Sequence, residues 1–343
     1  MKNKNIQRIA VLGAGSWGTT IAIYLFKMGY EVRLWEYYPE NVSLMNRTRR
    51  NPLLPGIPIP KELFITSDLN EVIDNPDLIC LVVPSHAMRS LLSLLDDRIP
   101  AQALWVNLSK GVEQNSLKRM SELIAEVRKV PPDRIVTLHG PSHAEEVARE
   151  IPTAIVSASS SLKIAKRVQE AFMSAHLRIY TSTDITGIEL GGAIKNIIAI
   201  AAGICDGLGL GDNSKAALIT RGLFEITRMG VRLGAREETF AGLSGVGDLI
   251  VTCFSKHSRN RYVGEEIGKG RKLQDILDGM TMIAEGVKTA RTVHQMAEKY
   301  GIEMPISNEI YEVLFHDKNP RVAVKKLMQR EPVKERHSLP ENQ

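Results

Sequence analysis

Cysteine is scarce in this chain. The three present, Cys80, Cys205 and Cys253, lie far apart and share no paired spacing, which argues against a disulfide framework and against a CxxC metal site. No apolar run approaches the roughly 20 residues that a bilayer-crossing helix needs. The opening stretch, MKNKNIQRIAVLGAG, passes from a polar lead into a strand pattern, so neither a signal peptide nor a membrane span is expected. A dense basic stripe is missing as well: 44 Lys and Arg against 39 Asp and Glu leave a net charge of +5, and the basic residues are scattered. That balance speaks against nucleic acid as a partner and suits a small anionic ligand. Without repeats or low-complexity tracts, the remainder is an ordinary globular composition, 43% hydrophobic and 24% charged, long enough for about two domains. Thiols without partners make the cytoplasm the expected location.

From Ile6 to about Tyr180, short β-branched runs alternate with helix-period segments: IAVLG, EVRLWE, DLICLVVPS, ALWVNLSKG, RIVTLHGPS, TAIVSAS and RIYTS. Such alternation is the signature of βαβ units and predicts an α/β, doubly wound parallel sheet over residues 1–185. Beyond Thr183 strand runs give way to amphipathic stretches such as IELGGAIKNIIAIAAGICDGL and NSKAALITRGLFEITRMGVRLG, which predict an all-helical domain over 186–330. Asp184 is placed to cap the first of these helices. The polar end, 331–343, with two prolines, is expected to be disordered.

Gly13, Gly15 and Gly18 form GxGxxG directly after a strand and ahead of a helical pattern closed by Gly29. The three glycines suit a tight turn, room for a pyrophosphate against backbone, and close packing of helix on strand. The helix start then offers free N–H groups to phosphate. The next strand ends at Glu36, 18 residues beyond Gly18, where an acid accepts hydrogen bonds from the adenosine ribose and disfavours a 2′-phosphate. NAD or NADP is therefore the expected cofactor, leaning to NAD. Arg33, Arg47, Arg49 and Arg50 are near enough in sequence to offset that lean, and a solvated strand-end charge is the plainer account of Glu36.

Five segments go further: GAGSWGTTIA, VNLSKGVE, LHGPSHAEEVA, ELGGAIKNIIAIAAGICDGLGLGDNSKAALITRGL and GLSGVGDLIVTCFSKHSRNR. In this order they closely resemble the NAD(P)-dependent glycerol-3-phosphate dehydrogenases of the bacterial type, and the likeness runs from Ile9 to Leu327. The resemblance implies reversible hydride transfer between dihydroxyacetone phosphate and sn-glycerol 3-phosphate for glycerophospholipid synthesis, a homodimer, and no metal. It also implies a Rossmann-like first domain. Related helix-capped dehydrogenases of the 3-hydroxyacid or 6-phosphogluconate kind share the fingerprint and a helix lysine. They leave GVGDLIVTC followed by SKHSRNR unexplained.

The residues fit that chemistry. Lys195 begins an almost unbroken apolar helical run, so its ammonium needs a partner, a cavity or neutralisation; the resemblance makes it the general acid/base. A lysine snorkelling from a helix is the structural alternative. Gly191 and Gly192, one turn earlier, would let cofactor or substrate come close. Lys110 follows a strand end, where ligands of doubly wound sheets bind, and the resemblance sets it against both substrate and cofactor. Gly140 and Ser142 are implied substrate contacts, and Ala144 a cofactor contact. Asp248 and Thr252, four apart, share a helical face; Asp248 could orient Lys195, and the resemblance gives it to the substrate. SKHSRNR can supply a bidentate guanidinium, hydroxyl or amide donors and a helix start, which suit phosphate; on the residues alone it reads as a solvated basic loop, and it is the resemblance that assigns Ser258, Arg259 and Asn260 to the substrate. Arg259 is also implied to reach cofactor. Further cofactor contacts fall on Ser16, Trp17, Tyr37, Ile283 and Glu285. Lys195 and Arg259 are both expected in a dry crevice.

Overall fold

The computed structural model describes residues 6–96, 98–280, 284–332 and 334–335. Ile283 and nine of the thirteen tail positions (333 and 336–343) lie outside the described residues. The chain forms two compact units, Met1–Lys110 with Met120–Ile185, and Gly111–Arg119 with Thr186–Gln343.

The first unit alternates strands and helices: β1 (Arg8–Leu12), α1 (Ser16–Lys27), β2 (Glu31–Trp35), α2 (Pro39–Thr48), β3 (Phe64–Thr66), α3 (Leu69–Val72), β4 (Leu78–Leu81), α4 (Met88–Leu94), β5 (Leu104–Asn107), α5 (Met120–Arg128), β6 (Ile135–His139), α6 (Ala144–Ala148), β7 (Thr153–Ala158), α7 (Leu162–Phe172) and β8 (Leu177–Ser182). The sheet order is β3-β2-β1-β4-β5-β6-β7-β8. β4 and β5, LICL and LWVN, are buried at every residue, the apolar run expected of a sheet covered on both faces. Successive residues of β1 feed different cores, Ile9 and Val11 one, Ala10 and Leu12 the other, because side chains alternate across a strand.

One departure from the all-parallel expectation occurs at β7, which pairs antiparallel with β6, while β8 again runs parallel to β7. The only helix between β6 and β7 is α6, with five residues. That is about 8 Å of helix, too short to carry the chain back along a strand of similar residue count.

The second unit contains α8 (Ile185–Gly207), α9 (Asp212–Arg232), α10 (Glu237–Phe240), α11 (Asp248–Phe254), α12 (Arg259–Gly268), α13 (Leu273–Asp278), α14 (Glu285–Tyr300), α15 (Pro305–Phe315) and α16 (Pro320–Met328). A π-helical turn, Leu243–Gly247, runs directly into α11. α8 corrects one expectation: its 23 residues are long and apolar enough to cross a membrane by length and composition. Its apolar window is wholly buried inside the fold, as befits a core helix apolar all round. Residues 111–119, which the sequence pattern assigned to the first domain, belong to the helical unit. Val112 joins its core, Val112 bridges Arg119, and Arg119 pairs with the buried Glu189 of α8 at 2.8 Å.

Candidate active site

In the first unit the order of strands reverses between β1 and β4, where doubly wound sheets bind ligands, and the glycine turn lies at that point. Gly13 has φ +114°, and a Cβ there would stand 2.8 Å from the Val82 carbonyl oxygen. A Cβ on Gly18 would stand 1.8 Å from the Gly13 carbonyl oxygen, whereas one on Gly15 would meet nothing within 4 Å. Two glycines thus serve packing, and the middle one leaves backbone open at the head of α1. No side chain caps that head, where Gly15 is the N-cap and Ser16 the first helical residue, so its N–H groups suit a pyrophosphate. Trp17 packs against the sheet's core.

Asn51, to which the sequence reading gave no role, braces this turn. Its buried amide donates to the Ala14 carbonyl at 2.8 Å and to Thr19 Oγ1 at 2.6 Å. Nothing local marks it; an Asn-Pro in a loop reads simply as a turn.

Glu36 follows β2, and its Oε1 accepts from the Tyr38 N–H at 3.2 Å and from Asn41 at 3.1 Å, which fixes the carboxylate. Tyr37 is exposed, edge-on to Trp35 and Tyr38. Two of the neighbouring arginines are engaged elsewhere: Arg33 donates to Glu71 O and Glu31, and Arg49 to Leu63 O.

At the ends of β5 and β6, Lys110 Nζ donates to the Gly140 carbonyl at 3.1 Å, and Ser142 Oγ donates to the same oxygen at 3.0 Å. Gly140 has φ +148°, with the Ile155 Cα 2.9 Å from where a Cβ would stand. Ala144 opens α6, and its carbonyl accepts from Thr20 of α1 at 3.2 Å.

In the second unit Lys195 is buried and meets Asp248 and Thr252. Its ammonium forms an ion pair with Asp248 Oδ1, donates to Thr252 Oγ1 at 2.6 Å, and reaches the Asp248 carbonyl at 3.4 Å. Thr252 Oγ1 in turn donates to that carbonyl at 2.6 Å. Of the alternatives open to this lysine, pairing is the one realised, and a carboxylate partner favours the charged ammonium against the effect of burial. Burial pushes the adjacent Cys253 thiol up to about 12, which leaves it no role as a thiolate. Gly191 gives its space to the protein itself, since a Cβ there would stand 2.7 Å from the Ser244 carbonyl oxygen.

Ser258 caps α12 by accepting from the Arg261 N–H at 3.2 Å, and the buried Asn260 accepts from the Gly286 N–H at 2.9 Å, one residue beyond Glu285. A backbone N–H can only donate, so the oxygen of Asn260 faces Gly286 and its NH₂ is turned elsewhere. Arg259 is exposed, so of the two cations expected in a dry crevice only Lys195 is withdrawn from water.

A glycine turn at the switch point of a doubly wound sheet, and a buried lysine–carboxylate pair in a helical unit, are the parts of a dinucleotide-dependent dehydrogenase. The comparisons give the particular kind. Residues 8–165 match the family described as NAD-dependent glycerol-3-phosphate dehydrogenase N-terminus, and 184–325 its C-terminus. A glycerol-3-phosphate dehydrogenase (NAD(P)+) of Chlorobium phaeobacteroides is 49% identical over 96% of this chain and 99% of its own. One from a Thermoanaerobacter species is 49% identical over 97% and 100%. The crystal structure of glycerol-3-phosphate dehydrogenase from Coxiella burnetii superposes with a TM-score of 0.91 at 37% identity, covering 95% of this chain and 99% of that one. The chain belongs to the NAD-dependent glycerol-3-phosphate dehydrogenase family.

Proposed function

We propose that this protein catalyses the reversible NAD(P)H-dependent reduction of dihydroxyacetone phosphate to sn-glycerol 3-phosphate, supplying the backbone of glycerophospholipids in the cytoplasm as a homodimer. The reading is carried by the buried cluster of Lys195, Asp248 and Thr252, in which an ammonium, a carboxylate and a hydroxyl converge on one point. The nicotinamide, when bound, supplies the hydride that reaches carbon 2. Lys195 donates a proton to the carbonyl oxygen in that direction and takes it back in the other. Asp248 and Thr252 hold Nζ on a fixed bearing and keep it charged until the proton leaves, and Asp248 also accepts a substrate hydroxyl. Arg259, with the Ser258 hydroxyl, the Asn260 amide and the head of α12, takes the phosphate. Lys110, Gly140 and Ser142 complete the substrate contacts.

The cofactor residues are Gly13, Gly15, Ser16, Trp17 and Gly18 for the pyrophosphate, Glu36 and Tyr37 for the adenosine end, and Lys110, Ala144, Arg259 and Glu285. The open backbone at Gly15 and the uncapped head of α1 fit such a group. The fixed carboxylate of Glu36, with Arg33 and Arg49 otherwise engaged, favours NAD over NADP. Oxidation of NADH on adding dihydroxyacetone phosphate, with unphosphorylated dihydroxyacetone as control, tests the reading. No consumption with the phosphorylated substrate, or equal rates with both, would overturn it.

A further inference from the structure

The segment assigned to the phosphate is held in place from α8. Gly203 and Gly207 of α8 face Gly264 and Gly268 of α12, each pair four residues apart. A Cβ on Gly203 would stand 2.0 Å from the Arg261 carbonyl oxygen, one on Gly207 2.1 Å from that of Glu265, and one on Gly264 1.9 Å from that of Ile200. Every partner is backbone, so the two helices touch main chain to main chain and cannot come closer. Backbone contact of this kind sets a floor, while Ile200 and Ile204 of α8 and Val263 and Ile267 of α12, buried in one core, hold the helices together without direction.

The directional tie is ionic. Asp206, near the end of α8, accepts from Lys215 Nζ of α9 at 2.8 and 2.9 Å and pairs with Arg261 Nη2 of α12 at 2.6 Å. The other guanidinium arm reaches Glu265, one turn along α12, at 3.2 Å. The side chains of Asp206, Lys215 and Arg261 are only 10–20% exposed, which limits screening by solvent and salt. Lys215 Nζ also lies 4.6 Å from the ring centre of Phe254, the last residue of α11.

Arg261 is the third residue of α12, and its N–H is the donor that Ser258 Oγ accepts. With that lone pair committed, the Ser258 hydroxyl keeps its own hydrogen to donate. Between Ser258 and Arg261 lie Arg259 and Asn260. Holding Arg261 therefore holds the whole first turn.

We propose that Asp206 is a positioning residue for phosphate recognition: through Arg261 it draws the first turn of α12 onto α8, against the stop set by the glycines. Ser258, Arg259 and Asn260 thereby keep a fixed spacing from Lys195, which α8 itself carries. The inference rests on the phosphate assignment made above. Its consequence is selective, since a substrate without phosphate uses Lys195 but not the first turn of α12.

The test compares dihydroxyacetone phosphate with dihydroxyacetone at saturating NADH. Asp206→Asn keeps the shape and removes the charge. It is expected to lower kcat/KM for the phosphorylated substrate about 10- to 100-fold, chiefly through KM, and to change that for dihydroxyacetone by less than about twofold, the scale on which a small misplacement acts. Arg259→Gln is measured beside it. If that variant leaves KM for dihydroxyacetone phosphate unchanged, the phosphate assignment itself falls, and the inference with it. If Arg259→Gln raises KM while Asp206→Asn leaves the ratio between the two substrates as in the parent, the positioning role alone is overturned; equal loss on both substrates counts the same way. Should Asp206→Asn fail to fold, Arg261→Lys, which keeps the cation but loses the planar fork, is read by the same ratio and the same two outcomes.

Discussion

Glu225 couples the stability of the helical unit to pH. This residue of α9 is buried, and its carboxylate accepts from the N–H groups of Ile306 and Ser307 at 2.5 and 3.0 Å and from the Ser307 hydroxyl at 2.8 Å. These N–H groups belong to the first turn of α15, where no intrahelical acceptor exists. Burial outweighs those donors and the charge of Arg228, and pushes the carboxyl up from 4.5 to about 7. The folded chain then binds this proton more tightly than the unfolded chain. The associated stability is fully present below about pH 4.5 and is lost as pH rises through about 7. Between pH 5 and pH 8 the linkage relation gives a loss of about 2–3 kcal/mol from this one group. Glu225→Gln keeps the volume but sets an NH₂ against one of the donors, at a cost of about 1–3 kcal/mol that does not vary with pH. Melting temperatures of parent and variant from pH 5 to pH 8 isolate the effect, because every other titrating group is common to both. The parent is expected to lose stability more steeply than the variant across that range. Parallel curves would refute the reasoning.

Three further outcomes concern turnover. Lys195→Ala should leave NADH binding intact, as read by cofactor fluorescence, and lower kcat at least about 100-fold, the usual loss for a positioned acid/base group; undiminished turnover would remove Lys195 from the mechanism. Thr252→Val deletes the oxygen that accepts from the ammonium at 2.6 Å, and losing a buried bond to a charged group, worth about 1.5–3 kcal/mol, should cut kcat about 10- to 100-fold without changing KM for NADH. The parent should use NADH more efficiently than NADPH, and Glu36→Ser should move the ratio of their kcat/KM values towards NADPH by about tenfold, since it removes the charge that opposes a 2′-phosphate; a parent that prefers NADPH would contradict the role given to Glu36.

Much of this fold is written in local pattern. The strand runs around Val11, Ile79 and Val106 are apolar and β-branched enough to declare a covered sheet, and GxGxxG after the first of them locates the turn that α1 begins from. Within one helix, spacing alone put Asp248 and Thr252 on a common face, and the apolar surroundings of Lys195 demanded a partner. Such inferences succeed because the relevant neighbours are a few residues away, where helix and strand periodicity fix direction.

What sequence could not decide is which distant groups meet. The carboxylate that answers Lys195 lies 53 residues downstream; the sequence offered Asp248 as a group that could orient this lysine, but only the fold decides between that role and a contact with substrate alone. Asn51 reaches back 37 residues to brace the glycine turn. Gly203 and Gly264 look like ordinary helix-weakening residues until the crossing of α8 and α12 shows that each makes room for the other's backbone. The reversal of β7 and the transfer of residues 111–119 to the helical unit are likewise outcomes of packing. Periodicity sets which way a side chain faces; only the closed tertiary structure, with every buried charge and main-chain group seeking an answer at once, sets what it faces.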